Sequence, residues 1–226
     1  MNDNREMTVI ARIHTPFAGK FGVPRQSGLA PTEGRIVFAP AYRNPDALRG
    51  LEGFSHLWLI WVFDRAERKD WSPTVRPPRL GGNRRMGVFA TRSPFRPNPI
   101  GLSCVELAAV EWSTPDGPVL HVRGADLVDG TPILDIKPYL PYCDAKPQAT
   151  GGFTDGLTGG ALQVVCPPEL LARLPEKDRP GLLAVLGGDP RPRYQDDPER
   201  VYGLTYGQRN VKFRVAGDVL TVLDVE

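Results

Sequence analysis

The sequence predicts a mainly β protein, an antiparallel barrel or sandwich followed by a small α+β domain. Its apolar residues fall in short runs, several rich in β-branched side chains, and turn residues separate these runs. Glycine and proline number 24 each among 226 residues, which is more than usual but below the low-complexity range. The intervals between runs are too short for crossover helices, so antiparallel pairing is favoured over a doubly wound parallel sheet.

Six strands are predicted in the first two thirds of the chain from their alternation or continuous apolar character. They are Met7–His14, His56–Phe63, Met86–Thr91, Leu102–Trp112, Val119–Gly124 and Ile133–Ile136. A Pro-Asp-Gly turn separates the fourth run from the fifth, so these two form a hairpin.

The texture of the sequence changes after Tyr142, and the glycine-rich stretch Thr150–Gly160 marks a boundary or an exposed loop. We therefore predict a barrel domain over residues 1–145 and a small domain over residues 146–226. Leucines at helical spacing predict two short helices, and Gly217-Asp218 predicts the turn of a terminal hairpin. The helices are Pro167–Leu174 and Pro180–Leu186, and the hairpin strands are Val211–Val215 and Val219–Val225.

Composition excludes several classes of protein. A hydrophobic content of 41% argues against a disordered chain, and a net charge of +2 means that nucleic-acid binding would need a local basic patch. Three scattered cysteines without CxxC spacing suggest neither a disulfide framework nor a metal site. With no signal-peptide pattern and no apolar run of membrane length, we expect a soluble cytoplasmic protein.

Familiar catalytic and nucleotide-binding signatures are absent from the sequence. No GxGxxG opens a helix after a strand, and there is no Walker-type GKS/T. The three histidines, His14, His56 and His121, lack metal spacing, and structural roles are expected for them. No serine stands in a nucleophile elbow, so covalent catalysis is unsupported.

The most informative segment runs from Arg76 to Gly101. It contains six arginines and no acidic residue, interrupted by prolines and glycines that stiffen the chain and allow close backbone approach. A solvated loop usually mixes both signs of charge, so this pattern predicts a loop that binds phosphates or carboxylates.

A second candidate site lies in the stretch from Asp126 to Tyr142. Asp135 and Lys137 are two apart on a predicted strand and therefore share a face, where each holds the other ionised. Such a pair, with Tyr139 beside it, could remove a proton or polarise a carbonyl. The alternative is an ordinary β-turn at Asp129 with solvated carboxylates.

Four segments together resemble the TsaA/TrmO (YaeB-like) family of bacterial tRNA N6-adenine methyltransferases. They are KFGVPRQSGL, LRGLEGFSHLWLIWVF, RPPRLGGNRRMGVFATRSPFRPNPIGLS and DLVDGTPILDIKPYLPY. The resemblance implies a TsaA-like β-barrel that binds S-adenosyl-L-methionine without a Rossmann fold, a small C-terminal domain, and a homodimer. It also implies methylation of N6 in N6-threonylcarbamoyladenosine at position 37 of threonine tRNA.

By the same resemblance, eleven positions are expected to line the cofactor pocket. They are Pro24, Arg25, Gln26, Asp64, Arg65, Arg92, Leu102, Asp126, Leu127, Val128 and Asp129. Relatives carry other polar residues at Asp64 and Arg65, so a backbone contact is the safer expectation there. Arg92 is the candidate partner of the methionine carboxylate of the cofactor.

The remaining arginines suit tRNA phosphates or the threonyl carboxylate. They are Arg76, Arg79, Arg84, Arg85 and Arg96. Within the implied reaction, Asp135 or Tyr139 is the candidate for handling the proton of N6, and Lys137 for stabilising charge. Two alternatives remain: the same barrel methylating another RNA or a small molecule, and a binding module for an adenosyl ligand without catalysis.

Overall fold

A closed six-stranded antiparallel barrel forms the larger part of the computed structural model, which describes residues 5–66, 71–77, 84–155, 161–191 and 197–226. Its strands are β1 (Ala11–His14), β2 (Glu33–Phe38), β3 (His56–Val62), β6 (Ile100–Glu111), β7 (Val119–Arg123) and β8 (Pro132–Pro138). They follow one another around the barrel in the order β1-β2-β7-β6-β3-β8. The barrel alternative of the sequence prediction is therefore confirmed.

Alternating burial along β3 explains the barrel core. Leu57, Leu59 and Trp61 point inward and are nearly or fully buried, whereas Trp58 and Ile60 lie on the outer face. The inward residues pack with apolar side chains from the other barrel strands, among them Ile13, Ile36 and Ile133. A one-residue change of register would exchange the two faces, so this pattern also fixes how β3 pairs with its neighbours.

A four-stranded sheet with two helices makes a second core. The strands β9 (Gln163–Val165), β10 (Tyr202–Tyr206), β11 (Arg209–Ala216) and β12 (Val219–Val225) are ordered β10-β11-β12-β9, and β9 runs parallel to β12. The helices are α2 (Pro168–Leu171) and α3 (Arg179–Gly187); a single-turn helix, α1 (Pro141–Asp144), follows the barrel. This arrangement confirms the predicted small α+β unit.

The segment between β1 and β2 joins the two cores. Phe17 and Ala30 are buried among residues of the second core, with the Phe17 ring 5.8 Å from that of Tyr206. Gly22 has a positive φ of 87°, and a Cβ there would lie 2.1 Å from a methyl group of Leu204. Phe17 and Ala30 precede the predicted domain boundary between residues 145 and 146 but belong to the second core. That boundary therefore stays a prediction.

Several element bounds differ from the sequence prediction. The run Met86–Thr91 is a strand only over β5 (Met86–Gly87), which pairs with β4 (Thr74–Val75), and a 3₁₀ helix Val88–Ala90 follows. β2 and β10 were not expected, since each is a short run that includes glycine. Among the described residues, no helix has the length and apolar character needed to cross a membrane.

Candidate functional site

One end of the barrel carries a cavity of about 660 Å³. The segments that surround it follow β1, β3 and β7 or precede β6 and β8. In an antiparallel barrel these strand ends all lie at the same end. Ten of the eleven residues expected at a cofactor pocket line it: Pro24, Arg25, Gln26, Asp64, Arg65, Arg92, Leu102, Asp126, Leu127 and Val128. The volume is within the range usual for small-molecule sites, about 300–1,000 Å³.

A buried chain of hydrogen bonds forms one wall of this cavity. The indole Nε1 of Trp61 donates to Ser103 Oγ at 3.0 Å, and Ser103 Oγ donates to Asp126 Oδ1 at 2.5 Å. Trp61 lies directly opposite Gly101 in the ladder, where any Cβ would come within 2.2 Å of the indole. The chain therefore connects β3, β6 and the loop after β7, and it needs glycine at position 101.

Asp126 is the carboxylate whose surroundings are most unusual. Burial raises its pKa above the ordinary aspartate value, while the hydrogen bond from Ser103 and the charge of Arg92 oppose that rise. A carboxylate with a raised pKa is a stronger proton acceptor than an exposed one once it is ionised. Asp126 can thus serve either as a base or as the partner of a cation or hydroxyl inside the cavity.

Arg92 brings a cation to the same cavity. Its guanidinium donates to the side-chain oxygen of Gln26, and the Gln26 amide donates in turn to the carbonyl of Arg25. Arg25 donates to the carbonyl of Asp189, which lies just after α3 in the second core unit. Hydrogen bonds therefore link cavity-lining residues from two distant parts of the sequence to the second core unit.

Arg65 holds the backbone of two segments beside the cavity. Its guanidinium donates to the carbonyls of Ala18 and Asp129, at 3.2 and 2.8 Å, while its own carbonyl accepts from Lys20. Asp129 is the one expected pocket residue that does not line the cavity. Its carboxylate accepts from the backbone N–H of Thr15 at 3.1 Å, so it holds the loop rather than facing the cavity.

The three residues expected to be catalytic lie outside the cavity lining. Asp135 and Lys137 form an ion pair of 2.9 Å on the outer face of β8, as their spacing predicted. Across neighbouring strands, Asp135 is paired with Ile60 and Ile60 with Leu102, which does line the cavity. Two strand spacings separate Asp135 from Leu102, about 10 Å. The ring of Tyr139 packs against Trp58, with 5.8 Å between centroids.

The arginines of the basic segment divide between rim and surface. Arg96 lines the cavity and donates to the carbonyl of Thr91, whereas Arg76, Arg84 and Arg85 are exposed beside the ribbon of β4 and β5. Arg79 lies outside the described residues. The described arginines of this segment therefore fall into two groups, one at the cavity and one exposed beside the ribbon.

Sequence reasoning missed the aromatic wall and its serine. Trp61 and Phe63 line the cavity with ring centroids 4.2 Å apart, and Ser103 supports them from behind. The apolar run that contains Trp61 and Phe63 predicted a strand, but it did not show which of its side chains would face a ligand. In the part of the chain that the structure describes, no three histidine, cysteine or acidic side chains converge as a metal site would require.

Comparison with known proteins gives consistent matches over both units. Residues 12–145 match the model of the tRNA-methyltransferase O N-terminal domain, and residues 161–226 match that of the TrmO C-terminal domain. A tRNA (adenine(37)-N6)-methyltransferase from Escherichia coli (strain K12) is 44% identical over 226 residues, covering 96% of each chain.

Two comparisons with Pseudomonas aeruginosa proteins agree with these matches. One protein, 41% identical over 225 residues and covering 96% of this chain and 95% of its own, carries S-adenosylmethionine-dependent methyltransferase in its name. The crystal structure of TrmO superposes with a TM-score of 0.81 at 34% identity, covering 100% of this chain and 98% of that one. Both family regions, the sequence identity and the fold agree: the chain belongs to the tRNA-methyltransferase O family.

Proposed function

We propose that this chain transfers a methyl group from S-adenosylmethionine to N6 of N6-threonylcarbamoyladenosine at position 37 of threonine tRNA, in the cytoplasm. Its family membership supports the coarser activity, that of a tRNA (adenine(37)-N6)-methyltransferase. The observation that carries the proposal is the cavity at the barrel end, whose lining combines apolar walls, a half-buried carboxylate and several arginines; further exposed arginines lie in the segment that leads into it.

The lining of the cavity fits the chemistry of this cofactor. Trp61, Phe63 and Leu102 offer apolar and aromatic surface to an adenine ring, and Arg92 offers a guanidinium to a carboxylate. Asp126 supplies a negative charge for a cationic or hydroxyl group. When bound, S-adenosylmethionine supplies an electrophilic methyl group on a sulfonium, so the protein has to place the acceptor nitrogen and receive its proton.

The proposed substrate explains why a proton acceptor is needed. The N6 lone pair of adenine is delocalised into the ring, which makes N6 a weak nucleophile. A carbamoyl group makes the remaining N–H more acidic, so a positioned base can remove that proton. Asp126 lines the cavity and has a raised pKa, and Asp135 lies on the outer face beside Lys137. Both carboxylates are therefore candidates for the base.

We also propose a homodimer. The outer face of β6 and β3 exposes apolar side chains that also line the cavity, with Leu102 52% and Ile100 37% exposed. Asp135 and Lys137 belong to the same face through β8. A second chain packed on it would cover this apolar surface and bring the ion pair close to a cavity mouth.

The methylation itself is testable with purified components. Incubation with S-adenosylmethionine and threonine tRNA carrying threonylcarbamoyladenosine should add one methyl group to that nucleoside, as detected by mass spectrometry. The control is the same tRNA without the threonylcarbamoyl group, which should stay unmethylated because its N6 is the weaker nucleophile. Methylation of plain adenosine, another RNA or a small molecule instead would contradict the proposed substrate, and no methyl transfer at all would favour a binding module.

The two carboxylates can be separated by Asp126→Asn and Asp135→Asn, each compared with wild type in single-turnover methyl transfer and cofactor binding. Loss of a general base lowers the rate by about 10²–10⁴. We expect one variant to show such a loss while it still binds the cofactor. Wild-type rates in both variants would rule out both residues as the proton acceptor.

The exposed arginines should contribute charge to tRNA binding. For Arg84→Ala with Arg85→Ala, we expect weaker tRNA binding and a log K against log salt slope that is flatter by about 0.7 per lost contact, since fewer counterions are released. Arg49→Ala is the matched control, because its exposed guanidinium lies between β2 and β3 at the opposite end of the barrel. An unchanged slope in the double variant would mean that these arginines do not meet phosphates.

The dimer predicts a sedimenting mass of twice the 24.9 kDa of one chain. Analytical ultracentrifugation of the purified protein at micromolar concentration measures it. A single-chain mass under those conditions would contradict the dimer and leave the apolar outer face without the proposed partner.

A further inference from the structure

An exposed pair of aromatic rings stands at the open end of the β4–β5 ribbon. Trp71 precedes β4 and Phe89 follows β5, and their ring centroids are 6.2 Å apart with 30° between the planes. Trp71 is 52% exposed and Phe89 74% exposed. Each ring thus keeps a large part of its surface exposed to water instead of being buried in a core.

Local hydrogen bonds hold Phe89 in this outward position. Val88 is 1% exposed, and its N–H donates to the carbonyl of Pro73 at 2.9 Å. Its carbonyl accepts from both the N–H and the hydroxyl of Thr91, at 3.1 and 2.9 Å. These bonds close the 3₁₀ turn Val88–Ala90 with the valine anchored inside, so Phe89 is presented outward on a fixed backbone.

The aromatic pair lies between two parts of the candidate site. At the open end of the ribbon, Thr91 and Arg92 continue directly from Phe89 into the cavity lining. Beyond the far ends of β4 and β5, Arg76, Arg84 and Arg85 expose their side chains. The sequence from Trp71 to Gly101 contains no acidic residue. Two stackable rings therefore lie in a segment of the chain whose charge suits a polyanion.

We propose that Trp71 and Phe89 form a stacking platform for one unpaired nucleobase of the RNA substrate, next to the base that enters the cavity. Sequence-tolerant recognition of single-stranded RNA combines aromatic stacking with basic side chains that follow the backbone. The rings would bind the loop around the methylated base and position it; they would not take part in the chemistry. This inference rests on the proposed tRNA substrate and adds a binding subsite to it.

The effect of removing the rings differs from the effect of removing charge. Loss of base stacking weakens RNA binding by about five- to a hundredfold, but it releases no counterions and so leaves the salt slope unchanged. We expect this result for Trp71→Ala with Phe89→Ala, measured by anisotropy of a labelled tRNA at several salt concentrations. Trp71→Phe with Phe89→Tyr should restore most of the affinity, and cofactor affinity should stay at the wild-type value.

A matched control is Trp112→Ala, which removes an exposed tryptophan just after β6, at the opposite end of the barrel. It should bind tRNA like wild type. Circular dichroism and sedimentation of each variant report its folding and assembly. If the alanine variant changes the sedimenting mass, the pair is an interface between copies and the stacking proposal is overturned.

Abasic substitutions in an anticodon stem-loop test the contact itself. The loop nucleotides are replaced by abasic residues one at a time. At one position the replacement should weaken binding to the wild-type protein but should not further weaken binding to the Trp71→Ala, Phe89→Ala variant, because both changes remove the same contact. Additive losses at every position, or wild-type affinity in the alanine variant, would contradict the platform while leaving methylation intact. A wild-type chain that binds neither tRNA nor stem-loop would contradict the proposed function as well.

Discussion

The hydrogen-bond chain from Trp61 through Ser103 to Asp126 sets the geometry on which the rest of the site depends. It joins an inward side chain of β3, a fully buried hydroxyl of β6 and the loop that follows β7. Because the Ser103 hydroxyl is shielded from water, leaving it without a partner would cost about 1–3 kcal/mol. The same bonds hold the barrel end together and keep the Asp126 carboxylate in place.

Charge in the site is arranged in two zones. The cavity lining carries charged side chains of both signs, among them the half-buried Asp126 and the Arg92 guanidinium, as a ligand with groups of both signs requires. Outside it, the segment between β3 and β6 is basic without acidic residues from Trp71 onward, as a nucleic acid requires. A small cofactor and a large anionic substrate can therefore be bound from adjoining surfaces of one barrel end.

Local patterns made the strands of the barrel predictable, and long-range contacts did not follow from them. The alternation in β3 and the turn between β6 and β7 could be predicted because each depends on residues that are close in sequence. The hydrogen bond between Ser103 and Asp126 joins residues that are 23 positions apart, and no local sequence pattern predicts it. β5 ended earlier than expected because the chain turns after Gly87 to anchor Val88.

Most of the pocket residues named from the family resemblance do line the cavity, but the resemblance could not give their orientation. Arg65 lies at the expected place, yet its guanidinium is engaged by backbone carbonyls, and Asp129 faces the loop of Thr15. The spacing of Asp135 and Lys137 correctly placed both on one face, but sequence alone could not tell the outer face of the barrel from the cavity side. That distinction depends on the closure of all six strands.

The proposed function requires the cavity at this barrel end to hold S-adenosylmethionine. The most direct measurement is a crystal structure of the chain grown with S-adenosylhomocysteine, the demethylated cofactor. We expect ligand density between Trp61, Arg92 and Asp126, with the ligand carboxylate at the guanidinium. Density bound elsewhere on the chain, or an empty cavity at saturating ligand, would contradict it.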